Sequence, residues 1–142
     1  MMARINLSNN GDTPFQKLLG HNPAVMKEWS SLSKVLEEEA FLSSDLKEQV
    51  RRTLAQKNGC EYCKAKGKPD PNVFDEKTSV AVGFAEVFLK QKGNIPDSVF
   101  HVLVDCFSEE EISELVAFIC FTSAQQYFGA VMRLEPKSFI RE

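Results

Sequence analysis

Apolar residues recur along this chain at spacings of three and four, without a clear run of strict alternation. Helices are therefore expected almost throughout, and no strand is predicted. Thr13-Pro14 predicts a short first helix ending near Gly20, with proline in its first turn. Pro23 opens a second, in which Val25, Trp29, Leu32, Val35 and Leu36 form one apolar stripe before the solvated run Glu37-Glu38-Glu39. Ser43 or Ser44 caps the next helix, whose buried face is marked by Leu46, Val50 and Leu54. Asn58-Gly59 stops it, where a left-handed residue is needed, so Cys60 falls in the first turn of a new short helix. Gly67 begins another break that runs to Pro71.

Val73, Phe74, Val80, Ala81, Phe84 and Phe88 then predict a fourth main helix over 72–90, ended by Gly93-Asn94. Pro96-Asp97 starts a short helix through Val104. Ser108-Glu109-Glu110-Glu111 matches a capping box and opens the last long helix, to about Arg133. That helix has one stripe through Ile112, Leu115, Val116, Ile119 and Cys120 and a second through Phe118, Phe121 and Phe128. A helix apolar on more than one face is central or lies in a subunit contact. With no internal repeat or long linker, the pattern predicts one all-α domain over 1–142, a bundle of about six to seven helices, and an oligomer.

Composition narrows the function classes. A chain of 142 residues buries roughly two thirds of its unfolded surface, enough for a core without staples. Seventeen Lys and Arg against twenty Asp and Glu give a net charge of −3, which argues against nucleic acid as a partner and against a polybasic membrane anchor. The stretch 115–132 carries no charge and approaches the length needed to span a bilayer. Thr122, Ser123, Gln125 and Gln126 are spread through it, so a buried or interface helix is expected and no membrane partner. The polar stretch 1–12 lacks the apolar region of a secretory signal, which places the expected location in the cytoplasm.

Four cysteines are too few for a disulfide scaffold, but two are spaced as Cys60-Glu61-Tyr62-Cys63. In a reducing compartment such a pair points to redox chemistry or metal binding. Residues three apart share a helix face and come close enough to form a disulfide. A helix N-terminus favours thiolate over thiol, and Lys64 and Lys66 add cationic charge nearby unless both point into water. A dithiol of this kind reacts through sulfenic acid and closes to a reducible disulfide. The competing reading is a pair of half-buried thiols without activity. Zinc normally takes four ligands. Cys106 and Cys120 form no second pair of that spacing, and His21 and His101 are isolated, so Cys106 and Cys120 read as buried core thiols and no metal site is expected.

The element Glu48, eleven residues, then Cys60-Glu61-Tyr62-Cys63 resembles the signature of the carboxymuconolactone decarboxylase and alkylhydroperoxidase D superfamily. The preceding Leu46-Lys47-Glu48-Gln49-Val50-Arg51 and the later Phe107-Ser108-Glu109-Glu110-Glu111-Ile112-Ser113-Glu114-Leu115 are similar to it too, so the resemblance covers most of the chain. It implies an all-helical fold assembling as homotrimers or homohexamers. It further implies a thiol-dependent peroxidase or dithiol/disulfide oxidoreductase, with peroxiredoxin-type, antioxidant activity. By the same resemblance Cys63 is the peroxidatic thiol, Cys60 the resolving thiol and Glu48 the start of a proton relay. The substrate would be a peroxide or a disulfide, the reductant a thiol protein or small thiol, and the redox-active Cys60–Cys63 disulfide would serve without a further cofactor.

The chain departs from the family pattern at two places. Gly67 stands where the relay histidine belongs, and Tyr62 where some members carry a second histidine. A positioned histidine is worth about 10²–10⁴-fold in rate, so Tyr62 and Lys66 become candidate auxiliaries. Taken without the resemblance, Glu48 reads as a surface ion pair with Arg52, four residues on. The decarboxylase branch works with acid/base residues including histidine, and the motif region here has none. The alternative function is a non-catalytic helical oligomer that keeps the family fold as a binding or assembly module; a zinc site nucleated by Cys60 and Cys63 ranks behind both.

Overall fold

The computed structural model describes residues 3–136. They form seven α-helices and one 3-10 turn, with no strand among the described residues. The helices are α1 (Pro14–Leu19), α2 (Pro23–Glu37), α3 (Ser44–Ala55), α4 (Glu61–Lys64), α5 (Glu76–Gln91), α6 (Asp97–Cys106) and α7 (Glu109–Val131). Short polar side chains set most of their starts. Thr13, Asn22, Ser43, Asp75 and Ser108 each accept a hydrogen bond from the backbone N–H three residues on, satisfying a donor the helix cannot. At Ser108 the reciprocal bond from the Ser108 N–H to Glu111 completes the capping box.

The main core is built where α3, α5 and α7 meet. Leu46, Val50 and Leu54 of α3 are fully buried beside Phe84 of α5 and Leu115, Phe118 and Ile119 of α7. Ala81 and Ala85 on α5 have no exposed surface, and their small size lets α5 lie close against α3. Leu103 and Phe107 close this core from the α6 side. The uncharged stretch 115–132 is thus core lining for most of its length, and no helix among the described residues is long and apolar enough to cross a membrane.

Three local expectations are corrected. The helix expected over 72–90 begins only at Glu76, because Asp75 caps it; Pro71–Val73 is a separate 3-10 turn. Asp75 and Asp70 both bond the backbone two or three residues ahead, which fixes a break that apolar spacing alone does not register. Cys60 is the cap of α4 rather than part of its first turn. Cys120 is exposed and Cys106 half-buried, so neither is a buried core thiol. Burial, with the Glu76 carboxylate beside it, still pushes the Cys106 thiol up and away from thiolate.

The apolar stripe of α2 is divided. Trp29 packs inward on Phe121 and Phe128 of α7, with ring centroids 5.2 and 6.1 Å apart, and Phe15 of α1 meets Phe128 at 5.3 Å. The second apolar stripe of α7 is therefore partly covered within the chain. Val25, Leu32 and Val35 of the same stripe remain exposed.

Candidate functional site

The chain reaches Cys60 through a turn that only particular residues allow. Gly59 has φ of +82°, a left-handed conformation that reverses the chain after α3. Just before it, the Asn58 amide is buried and donates to Gln126 Oε1 at 2.8 Å and to Ser123 Oγ at 3.3 Å. Gln126 in turn donates to the Arg51 carbonyl at 3.2 Å. This network ties the turn to α3 and α7, so polar residues in the uncharged stretch of α7 hold the dithiol loop in place.

Cys60 and Cys63 are joined as a disulfide, with Cα atoms 5.2 Å apart. The two sulfurs have unequal surroundings. Cys60 is 1% exposed, whereas Cys63 is 9% exposed and lines a cavity of about 480 Å³. The Cys63 N–H donates to Cys60 Sγ at 3.1 Å. An N–H aimed at sulfur favours negative charge there, so Cys60 is the better placed to leave as thiolate when Cys63 is attacked from the cavity.

Gly129 of α7 covers the other side of Cys60. A Cβ at that position would lie 2.5 Å from Cys60 Sγ and 3.5 Å from Cys60 Cβ, and the buried sulfur has no free side to move to. Gly129→Ala is therefore expected to cost about 1–3 kcal/mol, the usual range for overpacking, and to slow closure of the disulfide. A urea midpoint and a thiol count after timed reoxidation measure the two effects.

Arg51 links Glu48 to the dithiol. Its guanidinium donates to both Glu48 oxygens, at 2.7 and 2.9 Å, and to the Cys63 carbonyl at 3.1 Å. Arg52 takes Glu48 Oε2 at 2.8 Å, which is the ion pair that sequence spacing suggested. Burial pushes the Glu48 carboxyl upward, but hydrogen bonds and charge from Arg51 and Arg52 outweigh it and hold the group below its ordinary value. Glu48 has no direct hydrogen bond to either sulfur, and Arg51 lies between it and Cys63.

Gly67 has φ of +130°, and a side chain there would meet the Arg52 guanidinium at 3.3 Å. The space beside Gly67 is thus held by a permanent cation that cannot act as a base. Tyr62 and Lys66 both line the cavity with Cys63. Their side chains pair with each other, the Lys66 ammonium standing 4.6 Å from the centre of the Tyr62 ring. Burial pushes the Tyr62 hydroxyl up. Partial burial, followed by the charge of Arg51, lowers the Lys66 pKa against the opposing pull of Glu37 and Glu48.

No family model matches the chain, and no curated protein is significantly similar to it.

Among the described residues no group of three His, Cys, Asp or Glu side chains is placed to hold a metal ion. His21 meets the Asn6 carbonyl, and His101 is exposed on α6; neither lines the cavity. Of the residues singled out from sequence, Cys60, Cys63, Tyr62 and Lys66 come together around one loop, with Glu48 behind them. Arg51, Glu37 and Gly129 were missed. Arg51 had a usable signal, since it lies one turn after Glu48 and so on the same helix face. Glu37 and Gly129 had none, because each reaches the dithiol region only through the packing of α2 and α7.

Proposed function

We propose that this protein is a dithiol/disulfide oxidoreductase of the alkylhydroperoxidase D-like kind, acting as a thiol-dependent peroxidase or on a disulfide substrate. The observation that carries this reading is the inequality of the two sulfurs: Cys63 faces a cavity, and Cys60 lies behind it, packed under Gly129. In the peroxide reaction the Cys63 thiolate attacks the distal oxygen of an organic hydroperoxide. The O–O bond breaks, Cys63 becomes a sulfenic acid, and the alkoxide leaves as alcohol after taking a proton. Cys60 then attacks the Cys63 sulfur, water departs, and the disulfide forms. An external dithiol returns both electrons by attacking Cys63 and releasing Cys60, whose negative charge the Cys63 N–H receives.

In this scheme Arg51 supplies positive charge beside Cys63, and Glu48 orients Arg51 rather than passing a proton through a histidine. Tyr62 and Lys66 are the proton donors in the cavity wall for the departing alkoxide. Assembly as a homotrimer or homohexamer belongs to the same proposal, supported by the exposed Val25, Leu32 and Val35 along α2. Those side chains also favour a second reading, a non-catalytic helical oligomer that serves as an assembly module.

One experiment separates the two. The protein is fully reduced, freed of reductant, and treated with cumene hydroperoxide while peptide masses are followed. Loss of two hydrogens between Cys60 and Cys63, with Cys106 and Cys120 still thiols, is the expected result. If Cys60 and Cys63 stay reduced under excess oxidant, the redox reading fails and the assembly module stands.

A further inference from the structure

The cavity in front of Cys63 differs in charge from the chain that builds it. The whole sequence carries a net charge of −3, yet Lys34, Arg51 and Lys66 line this cavity against a single carboxylate, Glu37. Arg51 is well covered, with 14% of its side chain exposed, and shares the Glu48 carboxylate with Arg52, so two guanidinium groups are balanced by one acid. Lys66 has a ring beneath it and no carboxylate within ion-pair distance among the described residues. Lys66 lines both the main cavity and the adjoining recess, which also holds Glu37, Glu48, Lys47 and Arg51. Cationic excess at the mouth of a partly enclosed site raises the local concentration of anions and the rate at which they arrive. Phe15 of α1 and Trp29 of α2 add aromatic surface to a lining otherwise rich in serine, threonine and glutamine, which suits a polar molecule with a hydrocarbon part rather than a bare inorganic ion.

We infer that this cavity selects substrates bearing a carboxylate close to the reactive bond, the carboxylate docking between Lys66 and Arg51 while its peroxide or disulfide bond meets Cys63. The inference rests on the redox reading of Cys60 and Cys63. For a disulfide substrate, the Cys63 thiolate attacks one sulfur, forming a mixed disulfide and releasing one thiolate. Cys60 then attacks Cys63 and releases the second thiolate, so the dithiol loses two electrons and the substrate gains them. Both departing groups are anions leaving through a cationic mouth.

Charge-matched probes test this on the reduced full chain at one pH. Oxidation of Cys60 and Cys63 is timed with 3,3′-dithiodipropionate, with neutral 2-hydroxyethyl disulfide and with cationic cystamine. A carboxylate-bearing alkyl hydroperoxide and its methyl ester form a second pair. The rates, divided by those of a free dithiol with the same probes, are expected to favour the anion over its neutral partner roughly tenfold at low salt, less at high salt. Preference in the disulfide series, the peroxide pair or both identifies the source of the carboxylate. Lys66→Gln should shrink the anion-to-neutral ratio, and Glu37→Gln, an exposed change at the end of α2, should enlarge it. Equal normalised rates for all charges, a preference for cystamine, or ratios that neither variant moves would overturn the selection while leaving the redox reading intact. If no probe oxidises the pair, the redox reading itself fails.

Discussion

Cys63→Ser is expected to abolish turnover of an organic hydroperoxide in the presence of an external dithiol, whereas Cys60→Ser should leave one reaction per chain. The difference follows from access. Cys63 forms part of the cavity wall, while Cys60 is enclosed by α4 and by Gly129. A peroxide entering the cavity therefore meets Cys63 first, and an external thiol reducing the disulfide must take the same route. In Cys60→Ser the oxidised Cys63 has no resolving thiol and persists as sulfenic acid, trapped by a sulfenate-specific reagent as a mass adduct on that residue. In Cys63→Ser the enclosed Cys60 should take no adduct. An adduct on Cys60 of Cys63→Ser, with none on Cys63 of Cys60→Ser, would reverse the two roles.

The largest expected loss of stability lies away from the dithiol, at Lys47. This lysine of α3 is 2% exposed; its ammonium donates to the Glu38 carbonyl at 2.6 Å and pairs with Glu114 of α7 at 3.3 Å. The same Glu114 oxygen accepts from the Leu42 N–H at 2.8 Å. One ion pair thus fastens the end of α2, the following loop, α3 and α7. Removing either partner leaves the other charge enclosed without compensation, which typically costs 3–5 kcal/mol. Glu114 retains 15% exposure, so the lower end, about 3 kcal/mol, is expected for Lys47→Met. For a chain of this size that corresponds to a fall in Tm of roughly 10 °C. Replacing both residues together, with Lys47→Met and Glu114→Leu, should recover much of the loss, since two apolar groups leave no orphaned charge. Thermal and urea unfolding of the two single variants and the double variant form the cycle that measures the coupling. Additive losses would mean that the pair contributes little.

Lys47 also marks the boundary between what local sequence reveals and what it hides. A lysine next to the catalytic-looking Glu48 gives no sign of burial, because burial of a charge depends on a partner 67 positions away in the chain. The exposure of Cys120 is hidden for the same reason. It continues an apolar stripe, but whether any element covers that part of α7 depends on where the other helices pack. The late start of α5 is of a different kind: the short-range bonds of Asp70 and Asp75 are legible in the sequence, and they outweigh the apolar spacing that runs across them.

Helical character, the capping residues, the stop at Asn58-Gly59 and the pairing distance of Cys60 and Cys63 are local properties. Backbone sterics, side-chain periodicity and hydrogen bonds within a turn decide them, and these act between near neighbours in the chain. The inequality of the two sulfurs is not local. It arises because α7 brings Gly129 onto Cys60 while α1 and α2 leave a basic cavity open beside Cys63. Access and electrostatic environment are sums over everything nearby in space, so only the packed helices could decide which cysteine faces the cavity and what charge surrounds it.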